Sequence, residues 1–192
     1  MATLVLYLLD NTGSMQSIRD VTVQQFNEML DGLKNEDCYI RLVKFNTGDG
    51  IQVVTEGEPM KSFKLSTYNP QTNTPLHDAI GESIIKTDAW LAAEAEQGRT
   101  YRVLCVVHTD GLENSSTEWN LERVRKLIGE KKATGYWEFV YAGVGQEAWV
   151  DAQERYGMAA SYHVSHDVKG AAAAAAAVTQ AARTYAKTGK VS

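Results

Sequence analysis

Three oxygen-bearing side chains stand at alternate positions directly after the first apolar run of the chain. They are Asp10, Thr12 and Ser14, and the apolar run covers residues 3–9. Alternate spacing allows the carboxylate and the two hydroxyls to point toward one place, and Gly13 favours a tight backbone turn between them. Hard oxygen ligands of this kind suit Mg²⁺ or Mn²⁺ better than zinc. The segment therefore predicts the first part of a divalent-cation site.

Two later segments offer further oxygen atoms. Thr74 stands immediately before an expected helix, and Pro75 fits the first position of that helix, which makes Thr74 a candidate N-cap. Asp110 follows an apolar strand at 103–107. With the first segment, these loops offer two carboxylates and three hydroxyls. The alternative is that Asp10 and Asp110 only cap the N-termini of helices, as Asp often does.

The elements that position these side chains follow from hydrophobic periodicity. Strands are predicted at 3–9, 38–45, 51–55, 101–108 and 136–141, with a weak strand near 160–164. Helices are predicted at 16–34, 76–97, 118–133 and 167–187, with a short helix near 146–155, whereas 59–75 is expected to be irregular. The alternation predicts an α/β fold whose mostly parallel sheet is covered on both faces, with a hairpin at one edge.

Such folds place their sites at the carboxyl ends of strands, near the point where the strand order reverses. Asp10 and Asp110 both fall at the ends of predicted strands. The motif and the expected fold therefore indicate the same edge of the sheet.

Together, the three segments resemble the metal-ion-dependent adhesion site of the von Willebrand factor type A (VWA) domain. The resemblance rests on Asp10-x-Thr12-x-Ser14, on Thr74-Pro75-Leu76 with Asp78-Ala79, and on Thr109-Asp110-Gly111 with Asn114. It covers the chain from about residue 2 to at least residue 145. It implies a single domain over 1–192 with a Rossmann-like three-layer α/β/α fold, a mostly parallel central sheet and one antiparallel edge strand.

The resemblance also implies a role for each residue of the site. Thr12 and Ser14 would bind the metal through their hydroxyls, and Thr74 would bind it directly or through water. Asp10 and Asp110 would coordinate it directly or through water. The family usually carries Ser where this chain has Thr12, and Thr retains the oxygen. The expected ion is Mg²⁺, with Mn²⁺ and Ca²⁺ as alternatives, and a carboxylate of the ligand would complete its shell.

Charge and hydropathy limit the class of partner. The 192 residues carry a formal net charge of −5, which argues against a nucleic-acid binder. No stretch approaches the ~20 apolar residues of a membrane span, and the run before Asp10 lacks the charge pattern of a signal peptide. We therefore expect a cytoplasmic protein.

Cys38 and Cys105 are expected to be buried free thiols, although a bridge between them stays open.

The residue pattern assigns no functional role to several other side chains. His163 and His166 are three apart, but no carboxylate or thiol near them suggests a zinc site. His77 and His108 are expected near the metal loops, where either could contact a ligand, although a simple hydrogen-bonding role is favoured. Glu113 is expected at the rim of the site or in solvent.

The predicted function is binding without catalysis. A Mg²⁺ ion with one open position would attract an acidic side chain of a protein partner, with no role for nucleic acid or membrane. One alternative is a phosphotransfer enzyme of the haloacid dehalogenase type with Asp10 as nucleophile. That class needs a second Asp where this chain has Thr12, and a catalytic Lys that is not evident. Another alternative is an assembly subunit whose metal site holds a subunit interface.

Overall fold

The computed structural model of the chain describes residues 1–110, 113–143, 154–158, 160–161 and 168–191. In these ranges the strands are β1 (Ala2–Asp10), β2 (Cys38–Asn46), β3 (Gly50–Val53), β4 (Glu58–Pro59), β5 (Tyr101–Thr109), β6 (Trp137–Gly143) and β7 (Ala160–Ser161). The α-helices are α1 (Arg19–Leu33), α2 (Leu76–Glu96), α3 (Leu121–Ala133) and α4 (Val168–Thr188). Short 3₁₀ helices lie at Gly13–Ile18 and Met60–Ser62.

The strands form one sheet in the order β3-β2-β1-β5-β6-β7. Strand β1 pairs in parallel with β2 and β5, and β6 is parallel to both β5 and β7. Strands β3 and β4 both run antiparallel to β2 along its outer edge. The mostly parallel sheet and its antiparallel edge are therefore confirmed.

The order of the strands places a topological switch point at β1. The chain leaves β1 for β2 on one side and later returns to β5 on the other side. Loops that leave the carboxyl ends of β1 and β5 therefore diverge, and a crevice forms between them. Asp10 is the last residue of β1, and Asp110 directly follows β5.

Each face of the sheet packs against a pair of helices. Because successive side chains of a strand point to opposite faces, Tyr7 of β1 faces one core and Leu6 the other. The first core contains buried residues of α1 and α4, and the second contains buried residues of α2 and α3. Residues 4–9 of β1 are all buried, as expected for a central strand covered on both faces. The three-layer α/β/α architecture is confirmed.

The two cysteines lie in different cores. Cys38 belongs to the core under α1 and α4, and Cys105 belongs to the core under α2 and α3. Both are free thiols, and the sheet separates them. The bridge that the sequence left open is therefore excluded, because bonded cysteines need Cα atoms within about 7 Å and Cβ atoms that face each other.

The structure corrects the predicted starts of two helices and the predicted cap of a third. The region predicted as a helix from residue 16 begins as a 3₁₀ helix, and α1 starts at Arg19. Helix α3 starts at Leu121 rather than 118, because the Asn120 side chain accepts the backbone N–H of Arg123 and caps the helix. Helix α2 starts at Leu76 with Pro75 in the cap position, so the prediction of Thr74 as its N-cap is wrong.

Some predictions fall on residues that are only partly described. The short helix near 146–155 lies mostly outside the described residues, as do His163 and His166. Of the weak strand near 160–164, the structure describes β7 alone. None of the described helices combines the length and apolar character needed to cross a membrane.

Candidate metal site

Asp10 is held rigidly at the carboxyl end of β1. Its side chain is fully buried, and Oδ1 accepts the backbone N–H of Thr12 at 2.8 Å. Its Oδ2 accepts the hydroxyl of Thr109 at 2.5 Å. The hydroxyl of Tyr68 donates to the backbone carbonyl of Asp10. The orientation of the carboxylate is therefore set by Thr12 and Thr109 before any ligand arrives, and Tyr68 holds the backbone of Asp10.

Burial also changes the acidity of this carboxyl. It raises the pKa of Asp10 to about 6, against the lowering effect of the hydrogen bonds from Thr109 and Thr12. A cation beside the carboxylate would favour its charged form, because opposite charges within a few ångströms lower a carboxyl pKa. A divalent ion at this edge would therefore stabilise the ionised form of Asp10.

The other predicted site residues form a continuous line of hydrogen bonds. Thr74 Oγ1 donates to Thr12 Oγ1 at 3.2 Å, and Thr12 Oγ1 lies 3.3 Å from Ser14 Oγ. Ser14 Oγ donates to Asp110 Oδ1 at 2.7 Å. The loops after β1 and β5 and the segment before α2 therefore meet at one point. All five predicted residues, Asp10 included, come together there.

Thr12 and Thr74 are buried, Asp110 is half-buried and Ser14 is exposed. The line therefore runs from the interior to the surface, and solvent reaches it from the Ser14 end. A ligand from outside would meet Ser14 and Asp110 first.

Gly13 does not play the part that the sequence suggested. It is absent from the glycines with a positive φ, and a Cβ at this position would lie 3.6 Å from its nearest neighbour, the carbonyl oxygen of Thr72. An ordinary side chain would therefore fit. What the structure uses is the backbone N–H of Gly13, which donates to that carbonyl at 3.0 Å.

Asn114 ties the loop after β5 to the segment before α2. Its Oδ1 accepts the N–H of Thr74 at 3.0 Å, and its own N–H donates to the carbonyl of Thr74 at 3.2 Å. This reciprocal pair fixes the backbone of Thr74. The hydroxyl of Thr74 is then free of any capping role and points to Thr12.

Glu113 is a structural anchor rather than the rim residue or solvated side chain expected from the sequence. Its carboxylate accepts the backbone N–H groups of His77, Ser115 and Ser116, and also the hydroxyl of Ser116. Burial acts to raise its pKa, but these hydrogen bonds outweigh burial and hold the pKa of Glu113 below its usual range. The bonds from Ser115 and Ser116 are local, but the bond from His77 joins this loop to the first turn of α2, and no local sequence pattern signals it.

Asp78 anchors the same loop further along. Its carboxylate accepts the backbone N–H groups of Thr117, Glu118 and Trp119 at 2.7–3.0 Å. The N–H of Asp78 in turn donates to the hydroxyl of Ser116 at 3.1 Å. The first turn of α2 therefore holds the loop that carries Asn114.

The histidines near the site hydrogen-bond within the protein. His108 is buried, and its Nδ1 lies 2.8 Å from the hydroxyl of Tyr7. Burial lowers the pKa of His108 to about 4, so the ring is neutral at physiological pH. His77 donates its backbone N–H to Glu113. The contact of His108 agrees with the hydrogen-bonding role expected from the sequence, whereas the bond from His77 involves its backbone.

The donor set fits a hard divalent cation. Among the described residues, no three His, Cys, Asp or Glu side chains come together as a metal cluster. The atoms that do converge are carboxylate and hydroxyl oxygens, which suit Mg²⁺, an ion that usually keeps several of its waters. Thr12, Ser14 and Thr74 would hold the ion with Asp110, and Asp10 would supply negative charge behind Thr12.

The same geometry speaks against Asp10 as a nucleophile. Its side chain is fully buried, and both of its carboxylate oxygens accept hydrogen bonds from the protein. A nucleophile must reach the reacting atom of a substrate. The phosphotransferase alternative therefore receives no support from the position of Asp10.

Comparison with known proteins agrees with the fold. No family model and no curated protein matches the sequence. Among solved structures, the chain is similar to the ArnB paralog VWA2 from Sulfolobus acidocaldarius, with a TM-score of 0.57 and 16% identity. It is also similar to proximal thread matrix protein 1 from the mussel byssus (TM-score 0.63, 13% identity). A third is the pilus adhesin SpaC from Lactobacillus rhamnosus GG (TM-score 0.66, 12% identity).

The similarity covers 94%, 95% and 97% of this chain, respectively. It covers only 44%, 48% and 30% of the three solved chains, so this chain spans less than half of each. At such low identity the likeness concerns the fold alone. The chain has a VWA-like fold, and its candidate site lies at the switch point of that fold.

Proposed function

We propose that this chain is a protein-interaction module that binds Mg²⁺ at the site formed by Asp10, Thr12, Ser14, Thr74 and Asp110. The observation that carries the proposal is the hydrogen-bonded line from Thr74 to Asp110. Its members come from three separate segments of the sequence, yet each oxygen lies 2.7–3.3 Å from the next oxygen along the line. Hydroxyl oxygens at this spacing can give up their mutual bonds and turn toward one cation.

The partner would supply a carboxylate. Ser14 and Asp110 lie at the accessible end of the line, so a partner's side chain can approach there. A hard cation prefers oxygen ligands, and an acidic side chain adds the negative charge that a neutral hydroxyl lacks. The chain then acts by binding, without turnover of a substrate.

We also propose an intracellular location, since a chain whose two cysteines are placed so that they do not pair is more typical of reducing compartments than of secreted proteins. Free thiols persist in reducing compartments. This part of the proposal is independent of the metal site.

Isothermal titration of chelator-treated protein with Mg²⁺ tests the site, with Mn²⁺ as a second ion. We expect saturable binding to the wild type, and binding at least about tenfold weaker in Asp110→Ala. Asp20→Ala is the matched control, because the Asp20 side chain is 98% exposed on the first turn of α1. This control should bind as the wild type does. Equal binding by Asp110→Ala and the wild type would refute the proposal.

A second pair of variants tests whether the hydroxyl of Ser14 itself contributes to Mg²⁺ binding. Ser14→Ala removes an oxygen of the line, whereas Ser17→Ala removes an exposed hydroxyl from the same 3₁₀ helix. We expect Mg²⁺ affinity to fall only in Ser14→Ala. Circular dichroism spectra of both variants should match that of the wild type.

A further inference from the structure

The segment before α2 is held from both sides. On one side, Gln71 and Thr72 contact the loop after β1: the N–H of Gln71 donates to the carbonyl of Asn11 at 2.8 Å. On the other side, the segment contacts the turn between β2 and β3, where the N–H of Thr47 donates to the carbonyl of Asn73 at 3.2 Å. Residues 71–73 therefore form a strap between that turn and the loop after β1, which is the metal loop of the proposed site.

Thr72 has an unusual backbone conformation within this strap. Its φ is +65°, and among the described residues no other non-glycine has a positive φ. The left-handed region is disfavoured for side chains with a Cβ, and more so for β-branched residues. A residue keeps such a conformation only where its surroundings impose it. The contacts of Thr72 show what imposes it here.

Thr72 lies between two glycines and bonds to both. Its carbonyl accepts the N–H of Gly13 at 3.0 Å, and its hydroxyl oxygen accepts the N–H of Gly48 at 3.2 Å. A Cβ on Gly48 would lie only 3.1 Å from the Thr72 methyl group, so the lack of a side chain there permits the close approach. One residue thus joins the metal loop to the β2–β3 turn.

The β2–β3 turn is itself held by hydrogen bonds of its side chains. The N–H of Asp49 donates to the Asn46 side chain, and the Asp49 carboxylate accepts from the side chains of Asn46 and Gln71 at 3.1 Å. The N–H of Asn73 donates to the Thr47 hydroxyl at 3.2 Å. These bonds fix the strap immediately before Thr74.

We propose that Thr72 is a positioning residue for the metal site. Its left-handed backbone bonds to Gly13 and its hydroxyl bonds to Gly48, and together these bonds set the Thr74 hydroxyl against Thr12. Thr72 itself does not touch the ion. The inference rests on the proposed function where it is tested by Mg²⁺ affinity. Where it is tested by hydrogen exchange of the metal-free protein, it rests on the strap alone.

Three substitutions separate the contributions of the hydroxyl, the backbone conformation and the side-chain shape of Thr72. Thr72→Ser keeps the hydroxyl, Thr72→Val keeps the shape without it, and Thr72→Gly accepts the positive φ without strain. We expect Mg²⁺ affinity within about twofold of the wild type for Thr72→Ser, and roughly tenfold or more weaker for Thr72→Val and Thr72→Gly, as for other residues that orient ligands. Thr67→Gly is the control, because Thr67 is exposed in the same irregular segment.

The thermal midpoint distinguishes positioning from a loss of folding. Thr72→Gly relieves backbone strain, so its midpoint should not fall even though its Mg²⁺ affinity does. Rescue by Ser together with unchanged stability in the Gly variant is a result that a merely structural role would not produce. Wild-type affinity in both Thr72→Gly and Thr72→Val would overturn the proposal.

Amide hydrogen exchange of the metal-free protein gives an independent readout. We expect faster exchange at Gly48 and Thr74 in Thr72→Gly than in Thr72→Ser or the wild type. If the wild type takes up no Mg²⁺, the proposed function fails, and exchange still decides the positioning role. Unchanged exchange at both amides in Thr72→Gly would then refute it.

Discussion

At the scale of single residues, Asp78 shows how a carboxylate that is remote from the proposed ion shapes the site. It accepts three consecutive backbone N–H groups of residues 117–119. The loop that begins after Asp110 must return to α2 at this point, and Asn114 lies within that loop. The reciprocal bonds between Asn114 and Thr74 therefore depend on the anchor that Asp78 provides.

We expect Asp78→Ala to lower the free energy of unfolding by about 2–3 kcal/mol, because it leaves three backbone donors without their charged acceptor. Glu82→Ala is the control on the same helix. Glu82 forms only a surface pair with Lys86, and its loss should cost less than about 0.5 kcal/mol. Urea denaturation followed by circular dichroism measures both changes. Equal stability of the two variants would show that Asp78 is not an anchor.

At the scale of elements, the apolar runs predicted β1 and β5 because both strands are buried on both faces and contain almost no polar interruption. The starts of the helices were less predictable. The pattern of apolar residues continues through the 3₁₀ helix at Gly13–Ile18, so periodicity does not reveal where α1 begins. Thr74 has a side chain that often caps helices. Its hydroxyl instead donates to Thr12, which lies 62 residues away in the sequence.

Helix α2 and the loop before α3 approach each other closely at one glycine. A Cβ on Gly81 would lie 2.1 Å from the ring of Trp119, whereas a Cβ on Gly129 of α3 would meet nothing within 4 Å. Both glycines lie inside helices, where Ala is the better helix former. The two positions therefore form a matched pair in which only the surroundings differ.

We expect Gly81→Ala to destabilise the protein by about 1–3 kcal/mol, because the new methyl group forces Trp119 out of its position. Gly129→Ala should stabilise it by about 0.5–1 kcal/mol through helix propensity. Thermal unfolding of the two variants beside the wild type gives the sign of each change. A stabilised Gly81→Ala would contradict the packing described for Trp119.

At the scale of the whole molecule, two helical layers cover the two faces of the sheet and bury the central strands. The convergence of Asp10 and Asp110 was predictable, because parallel strands around a switch point end at the same edge. The bond from His77 to Glu113 and the bond from Gly48 to Thr72 were not, because each joins distant parts of the chain. Long-range hydrogen bonds leave no trace in local periodicity, whereas buried strands and helices do.

The reactivity of each cysteine depends on the helical layer that covers it. Burial, with a smaller effect from the nearby Glu36 and Asp37, raises the pKa of Cys38 to about 12, and burial raises the pKa of the Cys105 thiol well above its usual range. At pH 8 a thiol with a pKa near 12 is ionised to only about one part in 10⁴, and the thiolate is the reactive form. Each thiol therefore becomes reactive only when its own core opens.

We expect neither thiol to react with Ellman's reagent in the native protein at pH 8, and both to react after denaturation in urea. Because the pKa values are raised, a change from pH 7 to pH 9 should leave the native protein unreactive. A rapid native reaction of one thiol would show that one helical layer opens readily. Mass spectrometry of the labelled protein would identify the layer.

The hydrogen bonds of the candidate site satisfy one another within the protein. Thr74 donates to Thr12, Ser14 donates to Asp110, and Asp10 accepts from Thr12 and Thr109. We therefore expect this edge to fold without a cation, in contrast to small zinc domains that unfold without their metal. On the proposed function, an ion must displace bonds that already exist, and a partner's carboxylate would offset that loss. On that function the domain would work as a coincidence detector, which engages fully only when the ion and the partner are present together.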